Sequence, residues 1–297
     1  MLKDFTYICI SYNQEDIIIR HLESIVGIIK KYGQDIKNYL IVADDCSRDN
    51  TVNVAEKWIS DNSSYFEDVI VIKNKHNLGT VKNIYNAIHE CKTDYFKVLA
   101  GDDMYYLNNI YNLFESINDE MVVTPIIPLC EKNTETEKII NSIVRSLKLV
   151  SMYSEKNKVD ELVKIKNHLM APGVFFSSKY WRDEEIRKEI SKFKYIEDVP
   201  MWINLIVRKK LKVVVKYEPY ICYQLSVSNR KINEKNVQDI RKKDYELLEQ
   251  LYARDCNVSL LSLGEYYLKK IICMYTKKYD NEFLKNDDVR KLYFSGR

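Results

Sequence analysis

The sequence predicts an α/β fold with a mostly parallel central sheet flanked by helices. Two observations support this prediction: short apolar, β-favouring runs alternate with helical stretches in the first third of the chain, and each run ends in polar residues. Strands separated by helices form parallel β-α-β units, with helices on both faces of the sheet. Because the carboxyl ends of such strands share one edge, we expect the polar breaks after them, with Tyr12, Asp45, Lys82 and Asp102, to converge on one crevice.

Each element of this first half follows from its own pattern. Apolar residues at helical spacing predict a first helix over about 15–31, and similar spacing predicts others through Trp58 and over 80–91. Ser47, Asp49, Asn50 and Thr51 are possible N-caps of the second helix. Strands are predicted over residues 5–10, 39–43, 69–72 and 95–101.

The pattern changes from about residue 121. Residues 121–128 predict an edge or irregular strand, because proline is poorly tolerated in a central strand. Strands are also expected over 171–176, 212–217 and 220–224, and residues 131–169 are expected to be helical or mobile. Asp198 fits the N-cap of a further helix, with Pro200 in its first turn. Beyond about residue 227 the chain is charged and favours helix to its end.

Composition limits the classes of protein to consider. The balance of 46 basic against 43 acidic residues leaves a net charge of +3, too small to indicate nucleic-acid binding. The 7 scattered cysteines are expected to be reduced thiols in a cytosol. No window approaches the roughly 18 apolar residues of a membrane-spanning helix, and the N-terminus becomes polar too soon for a signal peptide. We therefore expect a cytoplasmic protein that touches a membrane, if at all, only peripherally at its inner face.

Asp102 and Asp103 form the most informative feature of the chain. They end a buried-type strand, where two adjacent carboxylates repel each other and gain nothing from the core. A divalent cation or a polar ligand would explain their position, and Mg²⁺ and Mn²⁺ prefer such oxygen ligands. The alternative for an isolated pair is a turn in which one aspartate caps the next helix.

Several segments, taken in order, carry a family resemblance: residues 8–13, 42–51, 77–83, 99–103 and 195–198, followed by Tyr223, Ser226 and Ser228. Together they resemble family 2 of the nucleotide-sugar glycosyltransferases, which have the GT-A fold. The resemblance implies a glycosyltransferase domain over residues 1–228, with a nucleotide-sugar-binding half over 1–120 and an acceptor-binding half over 121–228. Residues 229–297 would form a helical C-terminal extension.

The resemblance implies that Asp103 ligates Mn²⁺ or Mg²⁺ and that Asp102 reaches the ribose or a metal-bound water. Lys82, near the start of a helix, would bind phosphate with the help of the helix dipole. A solvated surface lysine is the alternative for Lys82. The family's acidic motif normally begins with another aspartate, for which this chain has Ala100.

Ser11, Tyr12, Asp44 and Asp45 would complete the donor-nucleotide site. By the same resemblance, Asp45 accepts a hydrogen bond from a nucleobase N–H and Tyr12 packs against the base. A capping turn at Asp44 and Asp45, and ordinary packing for Tyr12, are the alternatives.

Asp198 is the implied general base. An inverting transfer needs a carboxylate opposite the leaving diphosphate, close enough to take the proton of the acceptor hydroxyl. A helix cap is the structural alternative. The function implied is a metal-dependent, inverting transfer from a nucleotide diphosphate donor, expected to be a UDP-sugar, to a saccharide or lipid-linked saccharide in bacterial surface-polysaccharide assembly.

Other functions have less support from the sequence. A nicotinamide dehydrogenase needs a glycine-rich first turn, and residues 11–15 contain no glycine. A sugar-phosphate nucleotidyltransferase would also need such a loop. A catalytically inactive scaffold that binds nucleotide sugars is a further alternative function. An apolar stripe with basic flanks over 260–278 could lie on a membrane surface, but packing on its own domain or on a second subunit is the preferred interpretation.

Overall fold

A four-stranded parallel sheet with the strand order β3-β2-β1-β4 forms the first half of the computed structural model, which describes residues 2–129, 169–225 and 235–255. The predicted parallel sheet is therefore confirmed. The strand order reverses direction at β1, so a crevice opens beyond the carboxyl ends of β1 and β4. The strands are β1 (Asp4–Ser11), β2 (Lys37–Asp44), β3 (Asp68–Lys73) and β4 (Phe96–Ala100).

Helices cover both faces of this sheet. Successive strand residues point to opposite faces, so Tyr7 and Cys9 pack with the first and second helices while Ile8 packs with the third. Both faces are almost fully buried. For this reason the sequences of β1 and β2 are nearly continuous apolar runs and do not alternate with polar residues. The helices are α1 (Ile18–Tyr32), α2 (Thr51–Asn62) and α3 (Thr80–Glu90).

Two three-stranded sheets follow, with the orders β5-β10-β7 and β8-β6-β9. The single strand predicted over 121–128 is two strands in different sheets, separated at Thr124 and Pro125. Pro128 lies in the edge strand β7, where a missing N–H is tolerated. The elements are β5 (Met104–Tyr105), α4 (Ile110–Ser116), β6 (Glu120–Val123), β7 (Ile126–Leu129), β8 (Val174–Phe176), β9 (Lys212–Val215) and β10 (Ile221–Gln224).

The strand predicted over 171–176 begins later than expected, because Ala171–Gly173 forms a 3-10 turn that contains Pro172. Three further helices complete this half, and the last of them packs on it through Leu247, Leu248 and Leu251. They are α5 (Glu184–Ile190), α6 (Asp198–Ile203), which continues into a π-helical turn at Asn204–Arg208, and α7 (Lys235–Asp255).

Some predictions lie outside the described residues, namely those for 131–168, for Ser226 and Ser228, and for the apolar stripe over 260–278. Of the predicted helical extension over 229–297, the structure describes α7 alone, and this part is helical. Within the described ranges, no helix combines the length and the apolar character that a crossing of the bilayer demands.

Candidate active site

One cleft of about 1530 Å³ runs along the carboxyl ends of the central strands and reaches the start of α6. Ile240 of α7 also lines it, so the C-terminal helix contributes to its wall. Most of the predicted site residues share this cleft, although they come from four separate segments of the chain. Those that line it are Ser11, Tyr12, Asp45, Asp102, Asp103 and Asp198, while Asp44 and Lys82 do not.

The loops after β1 and β2 are joined by hydrogen bonds at the edge of the cleft. The backbone N–H of Asn13 donates to Ser47 Oγ at 2.8 Å, and the N–H of Gln14 donates to Thr51 Oγ1 at 2.6 Å. Asn50 occupies the N-cap of α2 without a side-chain capping bond. The polar residues predicted as alternative caps therefore serve mainly to fix one loop against the other.

Asp44 is buried and organises the turn that follows β2. Its carboxylate accepts hydrogen bonds from Ser11 Oγ at 3.1 Å, from the N–H of Ser47 at 2.7 Å and from Ser47 Oγ at 2.5 Å. These partners belong to the protein, which agrees with the alternative interpretation of a structural turn. Its predicted contact with the donor nucleotide stays a prediction.

Asp45 is also buried but borders the cleft. Its carboxylate accepts from the N–H of Leu78 at 2.7 Å and from the N–H of Gly79 at 2.8 Å, with Asn74 Nδ2 at 3.2 Å. Asp45 thereby holds the loop between β3 and α3 against the end of β2. Binding of a nucleobase by Asp45 stays a prediction, as does base packing by Tyr12, which is 38% exposed at the cleft.

The paired aspartates after β4 lie at the floor of the cleft. Burial raises the pKa of Asp102, and burial together with the Asp102 charge raises the pKa of Asp103 well above its ordinary value. One oxygen of Asp103 accepts the backbone N–H of Gln224 at 3.0 Å, which ties the aspartate to β10. Two carboxylates are thus held together in a place where their negative charges are poorly solvated.

Two basic side chains that the sequence analysis did not single out are buried near the two aspartates. His21 is buried on α1 and bonds to the backbone oxygen of Asp103 through Nδ1 at 2.8 Å. Burial lowers the pKa of His21 to about 4, so the imidazole is neutral. Lys97 is buried in β4, donates to the backbone oxygen of Val174 at 2.9 Å, and has its pKa lowered by burial to about 7. A lysine inside an apolar strand was the available signal for Lys97, whereas nothing marked His21.

The chemistry of Asp102 and Asp103 fits a hard divalent cation. Mg²⁺ and Mn²⁺ take carboxylate oxygens and often share a site with water and phosphate. A cation there would offset the effect of burial, which raises both carboxyl pKa values, and the repulsion from Asp102, which adds to it at Asp103. In the parts of the chain that the structure describes, no cluster of three or more His, Cys, Asp or Glu residues could enclose a metal. The pair therefore suits an open site, whose other ligands would come from the substrate and water.

Glu197 and Asp198 form a second carboxylate pair on the other side of the cleft. Burial and the neighbouring Asp198 charge raise the pKa of Glu197 to about 8, so the pair retains a proton at neutral pH. The prediction that Asp198 is the N-cap of its helix is wrong. Glu197 holds that position, and Asp198 is the first helical residue, with Oδ1 accepting the N–H of Val199 at 2.7 Å.

Lys194 lines the cleft, as do Arg48 and Lys97, whereas Lys82 does not. Thr80 and Asn83 of α3 face the cleft, whereas Lys82 lies on the exposed side of the helix, because residues three apart share a face and residues two apart do not. The expected convergence of Lys82 on the crevice is therefore wrong for its side chain. Lys194 lines the cleft from the loop before Glu197.

The two halves meet closely at Gly79. This residue has a φ of 87°, in the left-handed region that favours glycine. A Cβ placed there would lie 2.7 Å from the backbone oxygen of Lys194. That oxygen also accepts the N–H of Val81 at 3.1 Å, so the loop before α6 rests directly on the start of α3.

Residues 6–178 match the family described as Glycosyl transferase family 2, which is more than half of the chain. The chain belongs to this family. Membership confirms the resemblance carried by the motifs and identifies a glycosyltransferase domain. The matched residues include the central sheet and both aspartates after β4, whereas Asp198 lies beyond them.

Solved structures of S. aureus TarS share the fold of this family 2 glycosyltransferase. TarS 1–349 in complex with UDP-GlcNAc has a TM-score of 0.55 and 14% identity, covering 82% of this chain and 66% of that chain. The complex of TarS 1–349 with UDP has a TM-score of 0.52 and 14% identity, and the match covers 84% of this chain and 72% of that chain. Full TarS has a TM-score of 0.52 and 15% identity, and the match covers 89% of this chain and 48% of that chain. The chain thus spans slightly less than two thirds of the first of these structures and about half of full TarS, and the likeness establishes a GT-A-like fold. No curated protein matches the chain in sequence.

Proposed function

We propose that this glycosyltransferase is metal-dependent and inverting, and that it transfers a hexosyl or N-acetylhexosaminyl group from a nucleotide diphosphate sugar. The proposed acceptor is a saccharide or lipid-linked saccharide of a surface polysaccharide, reached at the inner face of the membrane. One observation carries the proposal: Asp102 and Asp103 border the same cleft as Asp198, which comes from the other half of the fold. A TarS structure that contains UDP-GlcNAc supports a UDP-sugar as the donor.

The two carboxylate pairs suit the two ends of the reaction. When bound at Asp102 and Asp103, Mn²⁺ or Mg²⁺ would neutralise the charge that develops on the leaving diphosphate. Asp198 would take the proton of the acceptor hydroxyl as its oxygen attacks the anomeric carbon. The bond between the anomeric carbon and the diphosphate oxygen breaks, and its electron pair stays on that oxygen. Because the acceptor oxygen attacks from the opposite face, the configuration at the anomeric carbon is inverted.

Side chains of both halves would hold the nucleotide diphosphate. Tyr12 offers a partly exposed ring at the cleft, and Ser11 lies at the end of β1 beside it. Lys194 lines the same cleft from the other half of the fold, and we propose that its ammonium group binds the diphosphate. A lysine ammonium acts on phosphate as a point charge and needs no fixed direction of approach.

A panel of nucleotide sugars, each measured with and without Mn²⁺, tests the donor assignment. A ligand that binds only the folded chain raises the midpoint of thermal unfolding. We expect UDP-sugars to raise it most and the increase to depend on Mn²⁺. An equal response to all nucleotides, or none to any, would contradict the proposed donor class.

Asp198→Asn tests the assignment of the base. The variant keeps the size of the side chain but cannot accept the hydroxyl proton, so transfer should fall by about 10²-fold or more. Binding of UDP should be unchanged, because the proposal gives Asp198 no contact with the nucleotide. Full transfer activity would move the base to another residue. An inactive wild-type chain that still binds nucleotide sugars would favour the scaffold alternative, and pyrophosphate release would indicate a nucleotidyltransferase.

A further inference from the structure

Asp244 of α7 places a buried carboxylate against three consecutive backbone N–H groups. The side chain is 2% exposed. It accepts from Lys194 at 2.9 Å, from Tyr195 at 2.7 Å and from Ile196 at 3.3 Å. Hydrogen bonds to an ionised acceptor are about twice as strong as those between neutral groups. Asp244 therefore fixes the path of the chain over residues 194–196.

This short loop leads directly to Glu197 and Asp198. It has no helical or strand hydrogen bonds of its own, so its course depends on the groups that bind it from outside. Asp244 binds its N–H groups from one side, and Val81 of α3 donates to the backbone oxygen of Lys194 from the other. The position of the carboxylate pair in the cleft thus depends on a residue nearly fifty positions further along the chain.

α7 is firmly docked and can serve as a fixed support. Leu251 is 5% exposed in the apolar cluster of this half. At the end of the helix, Asp255 pairs with Arg208 at 2.8 Å, and Arg254 pairs with Glu189 at 2.7 Å. Asp244 lies between the cleft-lining residue Ile240 and this anchored end.

We propose that Asp244 is a positioning residue for Asp198, which makes α7 part of the catalytic unit. The proposal rests on the function proposed above. It assigns Asp244 no contact with substrate: the carboxylate sets the backbone before α6, and α6 sets the direction of the base. A displacement of about 1 Å in a reacting group can lower a rate by about 10²-fold, so a support of this kind matters for turnover.

Asp244→Asn tests this role with little change in size. The amide has one acceptor oxygen in place of two and brings an NH₂ group toward N–H donors. We expect kcat for transfer to fall by about tenfold or more. The Kd of UDP should also change, but by a smaller factor, because the same loop carries Lys194, which is proposed to bind the diphosphate. An unchanged kcat in a folded variant would overturn the proposal, as would a loss confined to UDP binding.

Asp183→Asn is the matched control. Asp183 also accepts backbone N–H groups, from Glu185 at 3.0 Å and from Ile186 at 3.1 Å, but it does not line the cleft. Both variants should lower the midpoint of thermal unfolding, and only Asp244→Asn should lower kcat. An equal loss of kcat in both would show a general effect of destabilisation and overturn the positioning role.

Amide hydrogen exchange gives a readout that does not require activity. In the wild-type chain, the amides of Lys194, Tyr195 and Ile196 should be protected, and Asp244→Asn should speed their exchange while Asp183→Asn does not. Rapid exchange of these amides in the wild type would overturn the proposal even if Asp244→Asn failed to fold. Because exchange is independent of turnover, it also separates failure of this inference from failure of the proposed function.

Discussion

Carboxylates are held by different means in the two halves of the molecule. We call these the donor half (residues 1–120) and the acceptor half (the part that follows), after the ligands that we propose for them. In the donor half, Asp44 and Asp45 are bound by backbone groups of adjacent loops of the same half, at residues 47 and 78–79. In the acceptor half, Glu197 and Asp198 follow a loop whose N–H groups bind Asp244 of the C-terminal helix. The donor side is therefore built by local β-α units, while the acceptor side depends on a contact that is distant in sequence.

This difference bears on how the cleft can vary. A parallel sheet with short loops fixes its strand ends together, so the donor crevice is a property of the whole half. The acceptor wall depends in addition on the docking of α7. We therefore expect substitutions in the donor half to affect metal and nucleotide binding. Those near α6 and α7 should affect turnover, except at Lys194, whose side chain is proposed to bind the diphosphate.

The largest effect is expected from Asp103→Asn. Loss of a metal ligand removes several kcal/mol of transition-state stabilisation, so Mn²⁺-dependent release of UDP should fall by about 10³-fold or more. In the metal-free chain the same change should raise the midpoint of thermal unfolding, because it removes repulsion with Asp102. Asp68→Asn, at the start of β3 and exposed, is the surface control. Unchanged turnover would remove Asp103 from the site.

A smaller effect, confined to donor affinity, should distinguish the two lysines. Lys194→Ala should raise KM for the donor by about tenfold, through loss of a charge-assisted contact to phosphate. Lys82→Ala should change it by less than about twofold, because this side chain is exposed outside the cleft lining. Steady-state kinetics with varied UDP-sugar would compare them. The reverse order of effects would restore the phosphate role implied for Lys82 by the sequence motif.

The smallest expected effect is a change in how the stability of the fold depends on pH. The raised pKa of Glu197, about 8, means that the folded chain holds a proton that the unfolded chain loses near pH 4.3. The stability from this group is present below the unfolded pKa and is lost as the pH rises through the folded one. Glu197→Gln should weaken the fall in the unfolding midpoint between about pH 4 and 8. Parallel profiles for variant and wild type would contradict the raised pKa.

The central sheet and the three helices that cover it could be predicted almost completely from sequence, because they are encoded locally. The elements β5 and α4 of the same half were not predicted. Alternating apolar runs placed β1 to β4 within a residue or two of their observed ends, and the polar breaks marked the cleft. Lys82 was misplaced because the motif gives the position of a residue in the chain but not the face of the helix on which it lies. Lys194 has no such motif, and only the folded loop brings it to the cleft.

The acceptor half was harder to predict for a physical reason. β10 pairs with β5 and β7, which lie about a hundred residues earlier, and no local pattern encodes such pairing. The support of Asp244 for residues 194–196 is likewise a long-range contact between a helix and a loop. In the sequence, Asp244 is one aspartate in a charged helix, and nothing distinguishes it from an aspartate that points into solvent.

Gly79 has a consequence for how this enzyme can change over time. Its bare backbone is what allows the loop of Lys194 to rest on the start of α3, and any larger residue would push that loop outward. An alteration at this one position would therefore disturb recognition of the donor and delivery of the base at once. At this contact, a substitution that adapts one half to a new substrate also changes the other half.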